Sequence, residues 1–569
     1  MKKKKLLPSI SRIFVKGEGQ DEWGNRYFKL AVKDSAINLA PFSLGQISSD
    51  PQIVYSRLSN AGVSVLSTAA KGQLLAMLQD HEKTKPSFRV ATRLGWNSGA
   101  LVRPDQVIGR PKKPIELALG GLDQPMLAKY RVRGTLKGWQ AKVAKVCTGN
   151  SRLMFTVSLA FTGPILRLVT GPRGGGFQFS GPRETGKTTG GMVAGSVWGC
   201  HRGAGNPEIG FAESWNSTAN KIEVTALAHN DSLLILDETT LAGQDDKKRA
   251  EVVSGVVMAL AQQNEKQRLT NVESARWWRC FFLSTSNLTL NELALRGNVV
   301  LNDAHRSRLT DVPLPAGGFG IYENLHGFSS GEKLTDALIV RARNCCGSAG
   351  LEFQKRLVAD CSSNEPKLRK WLTQRRKVYT NRLNAQAKAK GVKPLSRSTG
   401  RCATVYAAGC LASKYGIVPW EKAELLRAVL LCQMDGLGQA TAELSATDTS
   451  VVGLRKKVFA YLCDRRGKFV DLDKVNLRPN SHKLGSAPGY KATFKGKEWL
   501  YVTAERLKKI IGAGGNADQL KQELAKAGVM DCPTSGRYVV QRPLFAGLKG
   551  NKGYRHVHAF RTTKIDAEI

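Results

Sequence analysis

The sequence predicts an α/β protein built around a parallel β-sheet. Three short apolar runs have the composition of buried strands, at residues 177–179, 233–236 and 280–283. Apolar residues at helical spacing lie between the first two runs, over residues 188–198 and 218–228. Because strands that alternate with helices are typical of parallel sheets covered by helices, we expect this region to form the core of the molecule.

Three further regions flank this core. Residues 1–135 are expected to form a β-rich N-terminal domain, since segments 23–32 and 88–96 each combine a turn signal with apolar residues typical of strands. Helical periodicity begins near residue 136, and the core domain is placed at 136–335. A polar linker at 440–450 precedes a basic α+β domain at 450–569, in which a helix from Val451, strand-like segments at 490–503 and 553–563, and a helix at 518–527 resemble a winged helix.

The net charge points to a polyanionic partner. The 569 residues include 86 Lys and Arg against 46 Asp and Glu, a net charge of +40. Nucleic acid is the default partner for such an excess, and the alternative is a basic, well-solvated surface. Residues 367–401 contain twelve basic residues and no acidic one. This segment is interpreted either as a solvated helix face or as a contact with the phosphate backbone of DNA.

Several classes of protein are excluded. The eleven Cys form no C-x-x-C pair and no cluster with His, which argues against a structural zinc site and a disulfide scaffold. The basic N-terminus is followed by Pro8 and polar residues rather than by the apolar segment of a signal peptide. The most apolar stretch, residues 153–169, is too short to span a bilayer and contains Pro164 and Arg167. The sequence therefore predicts a cytoplasmic protein without membrane contact.

A glycine-rich motif follows the first predicted strand. It matches the pattern G-x-x-x-x-G-K-T, and the residues predicted to bind nucleotide are Gly181, Pro182, Arg183, Glu184, Thr185, Gly186, Lys187, Thr188 and Thr189. Backbone N–H groups of such a loop surround phosphate at a helix N-terminus, where the helix dipole favours negative charge. Lys187 would reach the β- and γ-phosphates, and the Thr188 hydroxyl would bind Mg²⁺. The motif predicts ATP and Mg²⁺ as cofactors.

Two acids end the second predicted strand. Asp237 is placed to hold Mg²⁺, and Glu238 to polarise the attacking water as a general base. The third predicted strand ends in polar residues that would lie between the first two. We favour Asn287 as the residue that orients the water or the γ-phosphate, with Thr285 as the second choice. Arg308, some twenty residues further on, is either an arginine finger that completes a neighbouring subunit's site or a partner in a structural salt bridge.

At this point the motifs resemble a known family, the helicase-like P-loop proteins of domain of unknown function 927, which occur in prophages and integrative elements. The resemblance covers roughly residues 10–440 and rests on an ordered set of motifs. These are Gly95-Trp96, Gly138-Trp139, Gly149-Asn150-Ser151, 179–189, 196–199, Trp215 with Thr218, Asn220 and Glu223, Asn230-Asp231, Trp278-Arg279, 283–285, 308–313, Arg401 and 407–409.

The resemblance implies an AAA+ fold close to minichromosome-maintenance helicases. It implies a hexameric ring around DNA with ATP sites between subunits, a helical lid at residues 336–440, and Arg401 as a second sensor that reaches nucleotide from the lid. It also implies a hairpin within 262–279 whose Lys266 and Arg268 face a central pore. Here the sequence departs from the family, which usually has a Gly-rich turn with Gly-Lys-x-Arg and reads Leu-Ser-Thr-Gly-Glu where this chain has Leu-Ser-Thr-Ser-Asn.

The sequence is compatible with two functions. The first is an ATP-driven DNA translocase or helicase, a ring-forming replicative enzyme of a mobile element that works with DNA and with other replication proteins of that element. The second is a DNA-bound ATP switch, such as a loader or regulator, that does not unwind processively. A small-molecule kinase fits the glycine-rich motif but leaves the charge of +40 unexplained.

Overall fold

The computed structural model shows two compact units, Met1–Gln439 and Ala440–Ile569. It describes residues 7–566 except for 44, 46–50, 82–85, 120–125, 127, 173, 201–209, 265–276, 316, 448–450, 475–486, 513–514, 533–537 and 541–556. Both units combine helices with β-sheets, so the mixed α/β class predicted from the sequence is confirmed. The finer division into four domains stays a prediction.

The N-terminal part of the first unit contains two sheets. A five-stranded sheet has the order β3-β2-β1-β4-β8, and a three-stranded sheet has the order β5-β6-β7. The strands are β1 (Ile13–Gln20), β2 (Arg26–Val32), β3 (Phe42–Ser43), β4 (Phe88–Ala91), β5 (Gly95–Asn97), β6 (Ala100–Val102), β7 (Val107–Ile108) and β8 (Ile115–Leu117). Two helices that the sequence interpretation did not name, α1 (Pro51–Asn60) and α2 (Thr68–Gln79), contribute to the hydrophobic core beside β2.

A fully parallel five-stranded sheet forms the centre of the first unit. Its strands are β9 (Gly176–Ser180), β10 (Glu213–Ser214), β11 (Leu233–Asp237), β12 (Phe281–Ser286) and β13 (Leu309–Pro313). Their order is β10-β11-β12-β9-β13, so β12 lies between β9 and β11, as the sequence predicted. Both faces of the sheet are buried. Along β11, Leu233 and Ile235 belong to one hydrophobic cluster, and the alternate residues Leu234 and Leu236 belong to a second. Burial on both faces is typical of parallel sheets.

Helices cover this sheet and extend beyond it. Those before the last strand are α3 (Leu136–Trp139), α4 (Lys145–Cys147), α5 (Ser151–Ala160), α6 (Thr162–Ile165), α7 (Lys187–Gly195), α8 (Ala219–Ala228), α9 (Asp246–Gln262), α10 (Leu290–Arg296) and α11 (Asp303–Arg308). Those after it are α12 (Gly331–Asn344), α13 (Ser348–Ala389), α14 (Ser396–Lys414) and α15 (Lys422–Thr447). The long α13 is kinked at Asn364, two residues before Pro366, whose ring disfavours a continuous helix.

The second unit is smaller and contains its own sheet. Strands β14 (Val470–Asp471), β15 (Tyr490–Phe494), β16 (Lys497–Thr503) and β17 (Val557–Arg561) follow one another in the order β14-β15-β16-β17. Helices α16 (Val451–Arg465), α17 (Ala504–Ile511), α18 (Gly515–Lys526) and α19 (Thr562–Asp566) complete the unit. Leu454, Leu507, Leu520 and Phe560 share its core. The expected helix from Val451, the strands within 490–503 and the helix around 518–527 are present, and the expected strand at 553–563 is described from residue 557 onward.

No helix within the described ranges is long and apolar enough to cross a membrane. The apolar segment 153–169 contains most of α5 and all of α6. Every residue of these two helices except the half-buried Ser151 is buried inside the first unit.

Candidate active site

The glycine-rich motif forms a tight loop, residues 181–186, between β9 and α7; we call it the glycine loop. Gly181 and Gly186 have φ values of +149° and +91°, a conformation that side chains with a Cβ rarely adopt. At Gly186 a Cβ would also lie 2.5 Å from Cγ2 of Ile321. The loop is therefore held in one shape at the N-terminus of α7. Lys187 Nζ donates to the carbonyl oxygens of Gly181, at 2.9 Å, and Pro182.

Asp237 lies opposite the start of α7, at the carboxyl end of β11. Its Oδ1 accepts hydrogen bonds from Thr285 Oγ1 at 2.6 Å and from Thr188 Oγ1 at 3.3 Å. Thr285 Oγ1 also accepts from the backbone N–H of Glu238 at 2.8 Å. One hydroxyl on β12 therefore contacts both Asp237, the last residue of β11, and Glu238, the residue that follows it. The sequence ranked Thr285 below Asn287 at this position, and the structure gives Thr285 the direct contacts.

Glu238 has an unusual backbone conformation. Its φ of +66° is in the left-handed region, which costs about 1 kcal/mol or more for a residue with a side chain. Its carboxylate Oε1 accepts from Thr240 Oγ1 at 2.5 Å and from the Thr240 N–H at 3.4 Å. Strained residues that the surroundings hold in place are often found at functional sites.

Burial shifts the pKa values of Asp237 and Lys187 in opposite directions, in each case toward the neutral form. It raises the pKa of the Asp237 carboxyl, and the hydrogen bonds from Thr285 and Thr188 oppose that shift. It lowers the pKa of the Lys187 ammonium, and the nearby carboxylates of Glu238 and Asp237 oppose the shift. Each charged group is thus partly removed from water, and the opposite charge of the other stabilises it. Such a site is suited to binding a charged ligand.

A cleft of about 980 Å³ lies at the glycine loop. Of the predicted nucleotide-binding and catalytic residues, it brings together Arg183, Glu184, Thr185, Gly186, Lys187, Thr188, Thr189, Glu238 and Asn287. The remaining lining residues were missed by the sequence interpretation and are Thr240, Gly318, Phe319, Gly320, Tyr322, Gly331, Glu332 and Thr335. The run Gly317-Gly-Phe-Gly320 was the one local signal in the sequence for this part of the cleft.

Two predicted arginines do not line the cleft. Arg401 is buried, and it donates to the Ser307 carbonyl at 2.8 Å and to Thr310 Oγ1 at 2.7 Å. Burial lowers its pKa to about 10. In this chain Arg401 ties α14 to the end of α11 and the start of β13. The second-sensor role that the resemblance implies stays a prediction. Arg308 ends α11, and its Nη1 donates to the carbonyl of Ala304 at 2.9 Å.

The predicted nucleic-acid contacts are only partly described. Lys266 and Arg268 lie outside the described residues. In the basic segment 367–401, Arg369 is paired with Glu365, and Arg376 donates to the Thr170 carbonyl. The exposed members are Lys367, Lys370, Lys377, Arg382, Lys388, Lys390, Lys393 and Arg397.

The chain is similar to one family of known sequences and to a solved structure. The family model described as "Domain of unknown function (DUF927)" matches residues 4–277. A solved structure described as "SCCmec type IV Cch - active helicase" is similar over 97% of this chain and 94% of the other, with a TM-score of 0.56 and 15% sequence identity. No curated protein matches the sequence. At this identity the structural likeness shows a shared fold.

Proposed function

We propose that the chain is an ATP-driven DNA translocase of the helicase kind. The observation that carries the proposal is the cluster of Lys187, Thr188, Asp237 and Glu238 around the N-terminus of α7, joined by Thr285. The DUF927 match and the fold shared with a structure described as an active helicase support this function class.

The residues present fit a magnesium ion bound together with nucleotide. Thr188 Oγ1 and Asp237 Oδ1 lie 3.3 Å apart and supply the hard oxygen ligands that Mg²⁺ prefers. Within the described ranges no group of three His, Cys, Asp or Glu could hold a metal alone. This suits Mg²⁺, which usually takes one or two protein oxygens and completes its shell with phosphate and water. The ion would supply charge neutralisation at the phosphates.

In the proposed reaction water attacks the γ-phosphorus of ATP and Glu238 accepts its proton; the bond from that phosphorus to the bridging oxygen breaks, and ADP leaves together with inorganic phosphate. Lys187 neutralises charge on the phosphates, and the N–H groups of the glycine loop bind their oxygens. Asn287 directly follows β12, the strand next to β11, and lines the same cleft as Glu238, a position suited to orienting water. Arg308 remains our candidate finger for a neighbouring subunit's site.

The finer assignments belong to the same proposal. We infer an AAA+ type core, since one strand separates the strand of the glycine loop from the strand of Asp237. Residues 336–440 would be its helical lid, 450–569 a winged-helix domain, and the assembly a hexameric ring on DNA. The eight exposed cations between 367 and 397 support contact with DNA phosphates. The cellular setting would be the cytoplasm, with replication proteins of a mobile element.

Strand displacement distinguishes the proposal from its alternative, a DNA-bound ATP switch without processive unwinding. The purified chain is incubated with ATP, Mg²⁺ and a forked DNA duplex, and ATP hydrolysis and strand release are both measured. We expect DNA to stimulate hydrolysis and strands to separate, with Lys187→Ala inactive in both. Stimulated hydrolysis without strand release would favour the switch. Hydrolysis that no DNA stimulates would refute both.

A further inference from the structure

Half of the cleft is lined by residues that have no role in the proposed binding and hydrolysis of phosphate. It is formed by two elements that follow β13 in the chain: a loop at residues 317–322, which we call the cleft loop, and the first turns of α12. Phe319, Tyr322, Glu332 and Thr335 line this half. The Tyr322 and Thr335 hydroxyls are 2.6 Å apart.

Sheet order places this half on the far side of the glycine loop from Glu238. Strand β9, which carries the glycine loop, pairs with β12 on one side and with β13 on the other. Asp237, Glu238 and Asn287 come from the carboxyl ends of β11 and β12, on the first side. The cleft loop follows β13, on the second side. A phosphate chain bound by the glycine loop with its terminal phosphate at Glu238 must therefore extend toward the cleft loop.

The cleft loop is fixed against the glycine loop. The Ile321 N–H donates to the Thr185 carbonyl at 2.8 Å. Gly320 packs so closely that a Cβ there would lie 2.6 Å from the same carbonyl oxygen. Beyond the loop, the N–H groups of Glu323 and Asn324 donate to Asn150 Oδ1 at 2.7 and 2.8 Å. The wall of the cleft is therefore built at a set distance from the phosphate-binding backbone.

Phe319 stands out on this wall. It is 54% exposed, although it lies in a loop whose neighbours Ile321 and Tyr322 are buried at 0% and 5%. An exposed aromatic ring beside a polar cleft is a stacking surface for a nucleobase. Glu332, in the first turn of α12, offers carboxylate oxygens that only accept hydrogen bonds.

We propose that the cleft loop and the first turns of α12 form the nucleoside subsite of this protein. The Phe319 ring stacks on the base, and the Glu332 carboxylate accepts hydrogen bonds from donors of the nucleoside, either its ribose hydroxyls or its amino group. The inference rests on the proposed nucleotide site and adds the residues that distinguish a nucleotide from bare phosphate.

Binding without turnover tests the subsite. The affinities of wild type and Phe319→Ala for the non-hydrolysable analogue AMP-PNP and for inorganic tripolyphosphate are measured by calorimetry in the presence of Mg²⁺. We expect Phe319→Ala to weaken AMP-PNP binding by roughly 5- to 100-fold, the usual range for loss of one stacked aromatic ring. Tripolyphosphate binding should stay unchanged, because that ligand has no base. Phe319→Trp should restore AMP-PNP affinity.

A matched control is Phe14→Ala, since Phe14 is 50% exposed and lies on β1, outside the cleft. It should leave both affinities at the wild-type value. If Phe319→Ala binds AMP-PNP as tightly as wild type, or loses tripolyphosphate binding to the same extent, the subsite is overturned while the nucleotide site stands. If wild type binds neither ligand, the proposed function itself fails.

The role of Glu332 has its own readout. Glu332→Gln should lose the preference for ATP over 2′-deoxy-ATP if the carboxylate binds ribose hydroxyls. It should instead lose the preference for ATP over inosine triphosphate if the carboxylate binds the amino group. A variant that keeps both preferences at the wild-type ratio would remove Glu332 from the subsite.

Discussion

Replacing Thr285 with valine removes one hydroxyl from the centre of the candidate active site and leaves the side-chain volume nearly unchanged. The hydroxyl donates to Asp237 Oδ1 at 2.6 Å and accepts from the Glu238 N–H at 2.8 Å, and Thr285 is 1% exposed. A hydrogen bond to a charged group contributes about 1.5–3 kcal/mol and a neutral one about 1 kcal/mol. Valine therefore removes roughly 2–4 kcal/mol that holds the two acids in place.

This loss should appear in catalysis rather than in nucleotide binding alone. We expect the turnover number for ATP to fall about 10- to 100-fold, and the Mg²⁺ concentration for half-maximal rate to rise. The hydrogen bond from Thr285 opposes the burial that raises the pKa of Asp237. Its removal should raise that pKa further, so the acid limb of the pH–rate profile should move to higher pH.

Steady-state ATPase assays over a range of Mg²⁺ concentration and pH measure these three effects together. Thr285→Ser keeps the hydroxyl but removes the methyl group, and it should stay near wild type if the hydroxyl carries the effect. Asn287→Ala should lower the rate without changing the Mg²⁺ dependence, because Asn287 lines the cleft and Asp237 keeps its Thr285 partner. A folded Thr285→Val protein with wild-type rate, Mg²⁺ dependence and pH profile would show that the Thr285 bridge has no catalytic role.

Three further predictions concern Glu238, Arg308 and His229. Glu238→Gln should bind ATP and Mg²⁺ yet hydrolyse at least about 100-fold more slowly, and normal turnover would exclude Glu238 as the base. Arg308→Ala should bind nucleotide in the monomer and lose hydrolysis; recovery of activity on mixing it with Glu238→Gln protein would place the arginine in a neighbour's site, and no recovery would argue against it. His229 is fully buried, and burial lowers its pKa from 6.5 to about 4. Between pH 6.5 and pH 4 this histidine takes up a proton only in the unfolded chain. The free energy of unfolding is therefore unaffected by His229 above pH 6.5 and falls by up to about 3 kcal/mol as the pH drops to 4. His229→Gln should flatten this dependence in urea unfolding at pH 7 and pH 5, and an unchanged difference between the two would contradict it.

The sequence was informative where the chemistry is local. The glycine loop and the pair Asp237-Glu238 are recognised from consecutive residues. The structure places the loop between β9 and α7, and the two acids at the end of β11, as the sequence predicted. The sequence predicted a strand at 280–283, whereas β12 extends to Ser286 and so includes Thr285. A hydroxyl on the strand itself, rather than an amide after it, therefore faces Asp237.

Contacts between distant segments were not predictable in the same way. Glu332 and Thr335 line the cleft although more than 140 residues separate them from the glycine loop, and nothing in their local sequence marks them. Arg401 was assigned by resemblance alone. Its environment depends on how α14 packs against α11 and β13, which the residues around it do not encode.

The same packing connects the cleft to the helical layer. Glu323, directly after the cleft loop, pairs with Arg152 on α5, and Arg152 also pairs with Asp435 on α15. Arg152 is 5% exposed, so the loss of either carboxylate would leave a buried charge poorly compensated. Arg152 therefore ties the segment that directly follows the cleft loop to both α5 and α15. The Ile321 N–H of the cleft loop donates to the Thr185 carbonyl. The two ion pairs, the short chain segment from Glu323 back to Ile321 and this hydrogen bond therefore connect α15 to the glycine loop.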